Sequence, residues 1–110
     1  MSLSALLAAM IAVESGGDDT ALGNHGEHGA LQITAAVVSD CNRIANTRFT
    51  LADAHRRDVA IWMATTYLHH YAGPNATPEQ YARIWNGGPG GFRKKATMRY
   101  WLKIKRKLAE

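Results

Sequence analysis

One carboxylate stands out by its position. Leu3, Leu7, Met10 and Ile11 recur at three- and four-residue steps, and the next helical step of that stripe falls on Glu14. The pattern asks for an apolar side chain there and supplies an acid. In the last turn of a helix, a carboxyl meets both burial and the negative end of the helix dipole, and both disfavour its charge. A carboxyl kept neutral near pH 7 is what a general acid needs. A solvated last-turn glutamate ahead of a loop fits the same spacing, and the sequence leaves both readings open.

A second acid is harder to choose. Asp18, Asp19 and Glu27 all lie in a polar, glycine-rich stretch from Asp18 to Gly29, where acids also serve turn chemistry and solubility. Glu27 and Asp18 are the candidates for a partner to Glu14. His25, Glu27 and His28 do not have the HExxH spacing, and His69 and His70 point to different helix faces, so no metal site is expected. The run Asn86–Gly91 (NGGPGG) lacks the Lys-Ser/Thr and the preceding strand of a phosphate-binding loop. No cofactor is expected. Cys41, the only cysteine, rules out an internal disulfide and reads as a small, part-buried thiol.

These residues need a scaffold. Ser2 or Ser4 caps a first helix that Gly16-Gly17 ends. Leu22 to Ile33 suits a short, irregular hairpin, with Asn24, Gly26 and Gly29 at turns. Thr34 caps a second helix running to about Ile44. Leu51 to about Tyr71 reads as one long helix, with Trp62, Tyr67 and Tyr71 in the core. Thr77-Pro78-Glu79-Gln80 is a capping box with proline in the first turn, opening a helix that carries Tyr81, Ile84 and Trp85. The NGGPGG run reads as a loop that no helix crosses. A basic helix from Thr97 to about Leu108 closes the chain. The expected fold class is mostly α: four to five helices around a cleft, with a small turn-rich β insert, as one domain over residues 1–110.

Composition narrows the classes. With 46% hydrophobic and 20% charged residues the chain reads as globular rather than disordered. Its longest apolar run, Ala5–Val13, is too short to cross a membrane, which takes about 20 residues. Met1–Val13 lacks the basic start and small-residue cleavage site of a signal peptide, so none is expected. Charge is split along the chain. Five acids and no Lys or Arg precede Arg43, whereas all 13 basic residues and four acids follow from there. Between Arg93 and Lys107 there are eight basic residues and no acid, interleaved with Tyr100 and Trp101. That segment is either a solvated face or a surface for a polyanion.

Taken in order, Glu14-Ser15-Gly16-Gly17, then Gly29-Ala30-Leu31-Gln32-Ile33, then Ile84-Trp85-Asn86-Gly87-Gly88-Pro89-Gly90 resemble the lysozyme-like superfamily, in particular soluble lytic transglycosylases and goose-type lysozymes. The compact phage and bacterial domains of that type are the nearest in appearance. The resemblance spans nearly the whole chain. It implies an α+β lysozyme-like fold and cleavage of the bond between N-acetylmuramic acid and N-acetylglucosamine in peptidoglycan. It makes Glu14 the catalytic acid, Gln32 the glutamine beside the scissile bond, and Asn86 the asparagine of the family's Y-N-A-G-like segment. Gly29 and Ala30 would let backbone approach a sugar. Tyr81 and Trp85 would stack on sugar rings. Trp85 stands where that family segment has tyrosine, so the tyrosine hydroxyl is missing or comes from Tyr81. Asn24 stands where many relatives of the compact group carry aspartate.

Two chemical outcomes follow from the resemblance. In a lytic transglycosylase the acid turns base and the muramic hydroxymethyl oxygen closes an anhydro ring. In a hydrolase a second carboxylate activates water. One well-placed acid tilts the reading toward the transglycosylase. The expected partner is peptidoglycan at the bacterial cell envelope, with a monomeric protein, no membrane span and no obligate nucleic acid. The competing reading is a non-catalytic basic helical module that binds nucleic acid or glycan.

Overall fold

A computed structural model describes residues 2–110; Met1, the first residue of the expected domain, lies outside the described residues. Five α-helices account for most of the described residues: α1 (Leu3–Ser15), α2 (Ala35–Ala45), α3 (Arg57–Ala72), α4 (Pro78–Gly87) and α5 (Met98–Leu108). Short 3-10 turns lie at Leu51–His55, Gly91–Arg93 and Lys95–Thr97. The architecture is mostly α, as the sequence implied.

Helix α1 packs chiefly on α5, with smaller contacts to α3 and α4. The Ser2 hydroxyl accepts the Ala5 N–H at 3.2 Å and starts the helix. Gly16, in the left-handed region at φ 65°, ends it with its N–H on the Ala12 carbonyl. Leu6, Leu7, Met10 and Ile11 are buried between α5 on one side and α3 and α4 on the other. The apolar stripe therefore carries the end of α1, and Glu14 with it, to the edge of the core, where Glu14 is part-buried.

The segment between α1 and α2 forms no continuous strand. Isolated antiparallel bridges join Leu22 to His28 and His28 to Ile33. Ser15 ties this insert to the end of α1: its hydroxyl donates to the Ala30 carbonyl at 2.8 Å and accepts the N–H groups of Gly17 and Asp18. A second tie runs to the Leu51–His55 turn. His28 Nδ1 lies 2.9 Å from His55 Nε2, and His55 Nδ1 lies 2.8 Å from the Asp19 carbonyl. A carbonyl only accepts, so His55 donates to Asp19, and His28 donates to His55. Arg57 closes the same corner with an ion pair to Asp19 at 2.6 Å.

Two expected elements are corrected. The long helix from Leu51 to Tyr71 is broken: a 3-10 turn ends at His55, Arg56 is extended, and α3 starts at Arg57. The cause is local polar chemistry. Asp53 accepts the Thr50 N–H at 2.7 Å in a capping box, and His55 is held by the insert. Apolar periodicity continues across the break and hides it. The second correction concerns NGGPGG. Helix α4 runs into it and takes up Asn86 and Gly87, stopping only where Gly88 adopts φ 86°. Cys41 is fully buried rather than partly so, with its thiol on the Met63 carbonyl at 3.3 Å. Burial pushes that thiol up to about 11 and leaves it unreactive. Tyr67 is buried in the core, whereas Trp62 and Tyr71 pack against its edge half-buried.

Candidate active site

Glu14, Glu27, Gln32, Thr34, Val37, Trp85 and Asn86 line one pocket of about 150 Å³. Each comes from a place where an element ends. Glu14 is in the last turn of α1, Thr34 caps α2 with Val37 in its first turn, and Trp85 and Asn86 are in the last turns of α4. Glu27 and Gln32 come from the insert. Three hollows among the described residues are larger, one of them, of about 290 Å³, on the outer face of α5. Another of about 360 Å³ lies among Tyr71, Ile84, Phe92 and Arg93, and the third of about 470 Å³ among Phe49, Val59 and Trp62. Volume does not select the site; the chemistry of the lining does.

Glu14 keeps partial exposure. Burial nevertheless pushes its carboxyl up from 4.5 to about 7. The Tyr100 hydroxyl opposes that rise, the Glu27 carboxylate adds to it, and the Trp85 indole and Lys103 ammonium pull it down. The net result is an acid half-protonated near neutrality. Tyr100 is buried, and among the described residues its hydroxyl has no hydrogen-bond partner of ordinary geometry. It is close enough to Glu14 that burial and the Glu14 charge together raise the phenol well above its usual range. Trp85 is braced from behind by Tyr67, edge to face at 5.6 Å.

Glu27 and Gln32 are held by backbone. Glu27 Oε1 accepts the His25 N–H at 2.9 Å. Gln32 sits at φ 53°, a strained place for a side-chain-bearing residue, and its Nε2 donates to the Gly29 carbonyl at 2.9 Å. That leaves the Gln32 carbonyl oxygen as the free end. Both side chains lie over Gly23, where a Cβ would collide with the oxygens of Glu27 and Gln32. Gly23 is therefore the floor on which the two side chains rest.

The structure brings together Glu14, Glu27, Gln32, Trp85 and Asn86 from the sequence candidates. It does not bring Asp18, Tyr81, Gly29 or Ala30 to the pocket. Asp18 is exposed and bound to its neighbour Thr20, whose N–H and hydroxyl hold its carboxyl below the usual range. Tyr81 is buried with its hydroxyl donated to the Gly73 carbonyl at 2.6 Å, so it does not stand in for the missing family tyrosine. Gly29 is a glycine because its Cα packs on the Ala54 carbonyl; the close approach there is to protein backbone, not to open space. Ala30 is fully buried and offers its carbonyl to Ser15.

Sequence reasoning missed Gly23, Val37 and Tyr100 as parts of the site. In the sequence Tyr100 reads as part of the basic helix. Its signal was the interruption of a run of cations by an aromatic whose helical face points inward with Ile104 and Leu108. Arg83 was missed as a support. It is 8% exposed, and its guanidinium bonds the Thr97 hydroxyl at 2.9 Å, Glu79 at 2.7 Å and the Lys94 carbonyl at 3.1 Å. It lies over the Phe92 ring at 4.8 Å. One side chain thus fastens the glycine-rich crossing to α4 and positions the start of α5.

A family model described as "Transglycosylase SLT domain" matches residues 1–108. A lysozyme of Ostrea edulis is 32% identical over 80 residues, covering 70% of this chain and 57% of that protein. A lysozyme of Magallana gigas is 38% identical over 79 residues, covering 69% and 56%. The chain spans little more than half the length of these curated relatives.

Proposed function

The chain belongs to the transglycosylase SLT domain family, within the lysozyme-like superfamily, and we propose that it cleaves the glycan strand of peptidoglycan with Glu14 as the general acid. The bond we assign is that between N-acetylmuramic acid and N-acetylglucosamine. One observation carries the reading: an acid raised to about 7 shares a pocket with a second carboxylate, a glutamine and an asparagine. The proton on Glu14 passes to the bridging oxygen as the C1–O bond breaks, leaving an oxocarbenium-like sugar. Trp85 offers a face for the sugar ring, and Gln32 and Asn86 offer hydrogen bonds to its amide and hydroxyl groups.

The second step has two forms. In hydrolysis, the Glu27 carboxylate takes a proton from water as the water oxygen bonds to C1. In transglycosylation, the ionised Glu14 takes the proton of the muramic C6 hydroxyl, whose oxygen bonds to C1. The tilt toward transglycosylation rested on a single acid. The presence of Glu27 in the pocket removes that premise and favours hydrolysis, with Glu27 as base.

Digestion of purified peptidoglycan followed by mass spectrometry tests both levels. Hydrolysis leaves reducing muramic ends; transglycosylation leaves anhydro ends lighter by one water. We expect reducing ends from the wild type and no products from Glu14→Gln. Anhydro ends alone would reject Glu27 as base. Equal activity in Glu14→Gln would reject the assignment of Glu14. An inactive wild type that binds DNA or glycan would favour the non-catalytic module.

A further inference from the structure

The cations that follow α4 have no part in the chemistry above. Arg93, Lys94, Lys95, Arg99, Lys103, Lys105, Arg106 and Lys107 are all exposed. Among the described residues only Lys107 of these has a carboxylate partner, Glu110 at 3.2 Å. On α5 they are sorted by helical spacing. Tyr100, Ile104 and Leu108 face the core, while Arg99, Leu102 and Arg106 lie at i, i+3 and i+7 on the opposite side. Lys105 and Arg106 flank Leu102 and Ala109 around a shallow hollow on that outward face. Lys103 lies on the flank of the helix nearer the pocket, close enough to lower the Glu14 carboxyl. The outward face and the pocket are therefore neighbours, separated by the width of one helix.

We propose, resting on the reading above that the substrate is cell-wall glycan, that Arg99, Lys105 and Arg106 on the outward face of α5 dock the domain on phosphodiester polymers attached to peptidoglycan. Arg99 and the Lys105–Arg106 pair stand two turns apart on this face, roughly 10 Å along the helix, so that separate phosphates of an extended polyanion each meet a cation. Arginine at two of the three positions suits phosphate, which its guanidinium grips with two N–H groups. A lipid bilayer fits less well. A helix that lies in a membrane surface spends its apolar face on the headgroups. Here that face is spent on the core, and the outward side offers only Met98 at 37% and Leu102 at 46% exposure. Duplex nucleic acid shares the phosphodiester chemistry, but only the wall polymer would set the Glu14 pocket beside its glycan.

The test compares binding to bacterial walls that carry polyol-phosphate chains with binding to the same walls stripped of them by hydrofluoric acid. Wild type is expected to bind native walls at least tenfold more tightly than stripped ones. For three phosphate contacts that affinity should fall roughly 20- to 40-fold between 50 and 200 mM salt. The triple variant Arg99→Gln, Lys105→Gln, Arg106→Gln should lose about tenfold in binding to native walls and cleave stripped peptidoglycan at the wild-type rate. Equal binding to native and stripped walls would overturn the proposal. So would unchanged binding by the triple variant, or tighter binding to phosphatidylglycerol vesicles or duplex DNA at equal salt. A wild type that binds native walls but leaves stripped peptidoglycan uncut would instead overturn the assigned reaction and leave the docking surface standing.

Discussion

Replacing Glu14 by glutamine should make the protein more stable at alkaline pH while removing its activity. The sign follows from linkage. Burial raises the carboxyl from 4.5 to about 7, so the folded state holds a proton that the unfolded chain releases. Stability contributed by the neutral form is complete below pH 4.5 and is lost as pH rises through 7. The shift of about 2.5 units, at about 1.4 kcal/mol per unit, is worth about 3 kcal/mol by pH 8. Glutamine is nearly isosteric and never ionises, so it escapes that cost. Urea unfolding should therefore give Glu14→Gln an advantage of about 3 kcal/mol at pH 8 and less than about 0.5 kcal/mol at pH 4.5. For a chain of this size the alkaline gain corresponds to roughly 10 °C or more in Tm. An advantage that is the same at both pH values would refute the reasoning, because it would arise from packing rather than from a suppressed charge. A loss of stability at pH 8 would show that the ionised carboxylate is well solvated or well paired in the fold.

The activity of the wild type should decline as pH rises through about 7, where Glu14 loses its proton. Tyr100→Phe removes a group that favours the carboxylate and should move this limb of the kcat/KM profile to higher pH; Glu27→Gln, which removes the proposed base along with a repelling charge, should move the Glu14 titration followed by carboxyl NMR to lower pH. Gly23→Ala forces the Glu27 and Gln32 side chains to shift; kcat should fall at least tenfold, about 1.4 kcal/mol in barrier, with circular dichroism unchanged. Arg83→Met breaks the anchor to Thr97, Glu79 and Lys94, so urea denaturation should show a loss of about 1–3 kcal/mol.

Much of the scaffold was legible in the sequence because it rests on local rules. The α1 stripe and the caps at Ser2, Thr34 and Thr77 marked helix positions correctly, and the cap hydrogen bonds are present. The break at Arg56 was not legible. The apolar spacing continues through it, and the residues that stop the helix, Thr50 with Asp53 and His55 with His28, act through side-chain bonds, one of them to a segment 27 positions away. Likewise, two glycines in a row do not say which of them ends α4; the φ of 86° at Gly88 does.

By itself the chain determined where a carboxyl would interrupt an apolar helix face, because that needs only a count of 3.6 residues per turn. Tertiary structure decided whether the interruption is an acid in a pocket or an acid in water. Burial depends on what packs over the end of α1, namely Trp85 from α4, Tyr100 from α5 and the insert with Glu27. It also chose Glu27 over Asp18. Both acids lie in the same glycine-rich stretch, and only the bridges that fold it back turn one toward Glu14 and leave the other to bind its neighbour Thr20. Spacing along a helix is fixed by local geometry, whereas the distance between two loops is fixed only when the chain closes on its core.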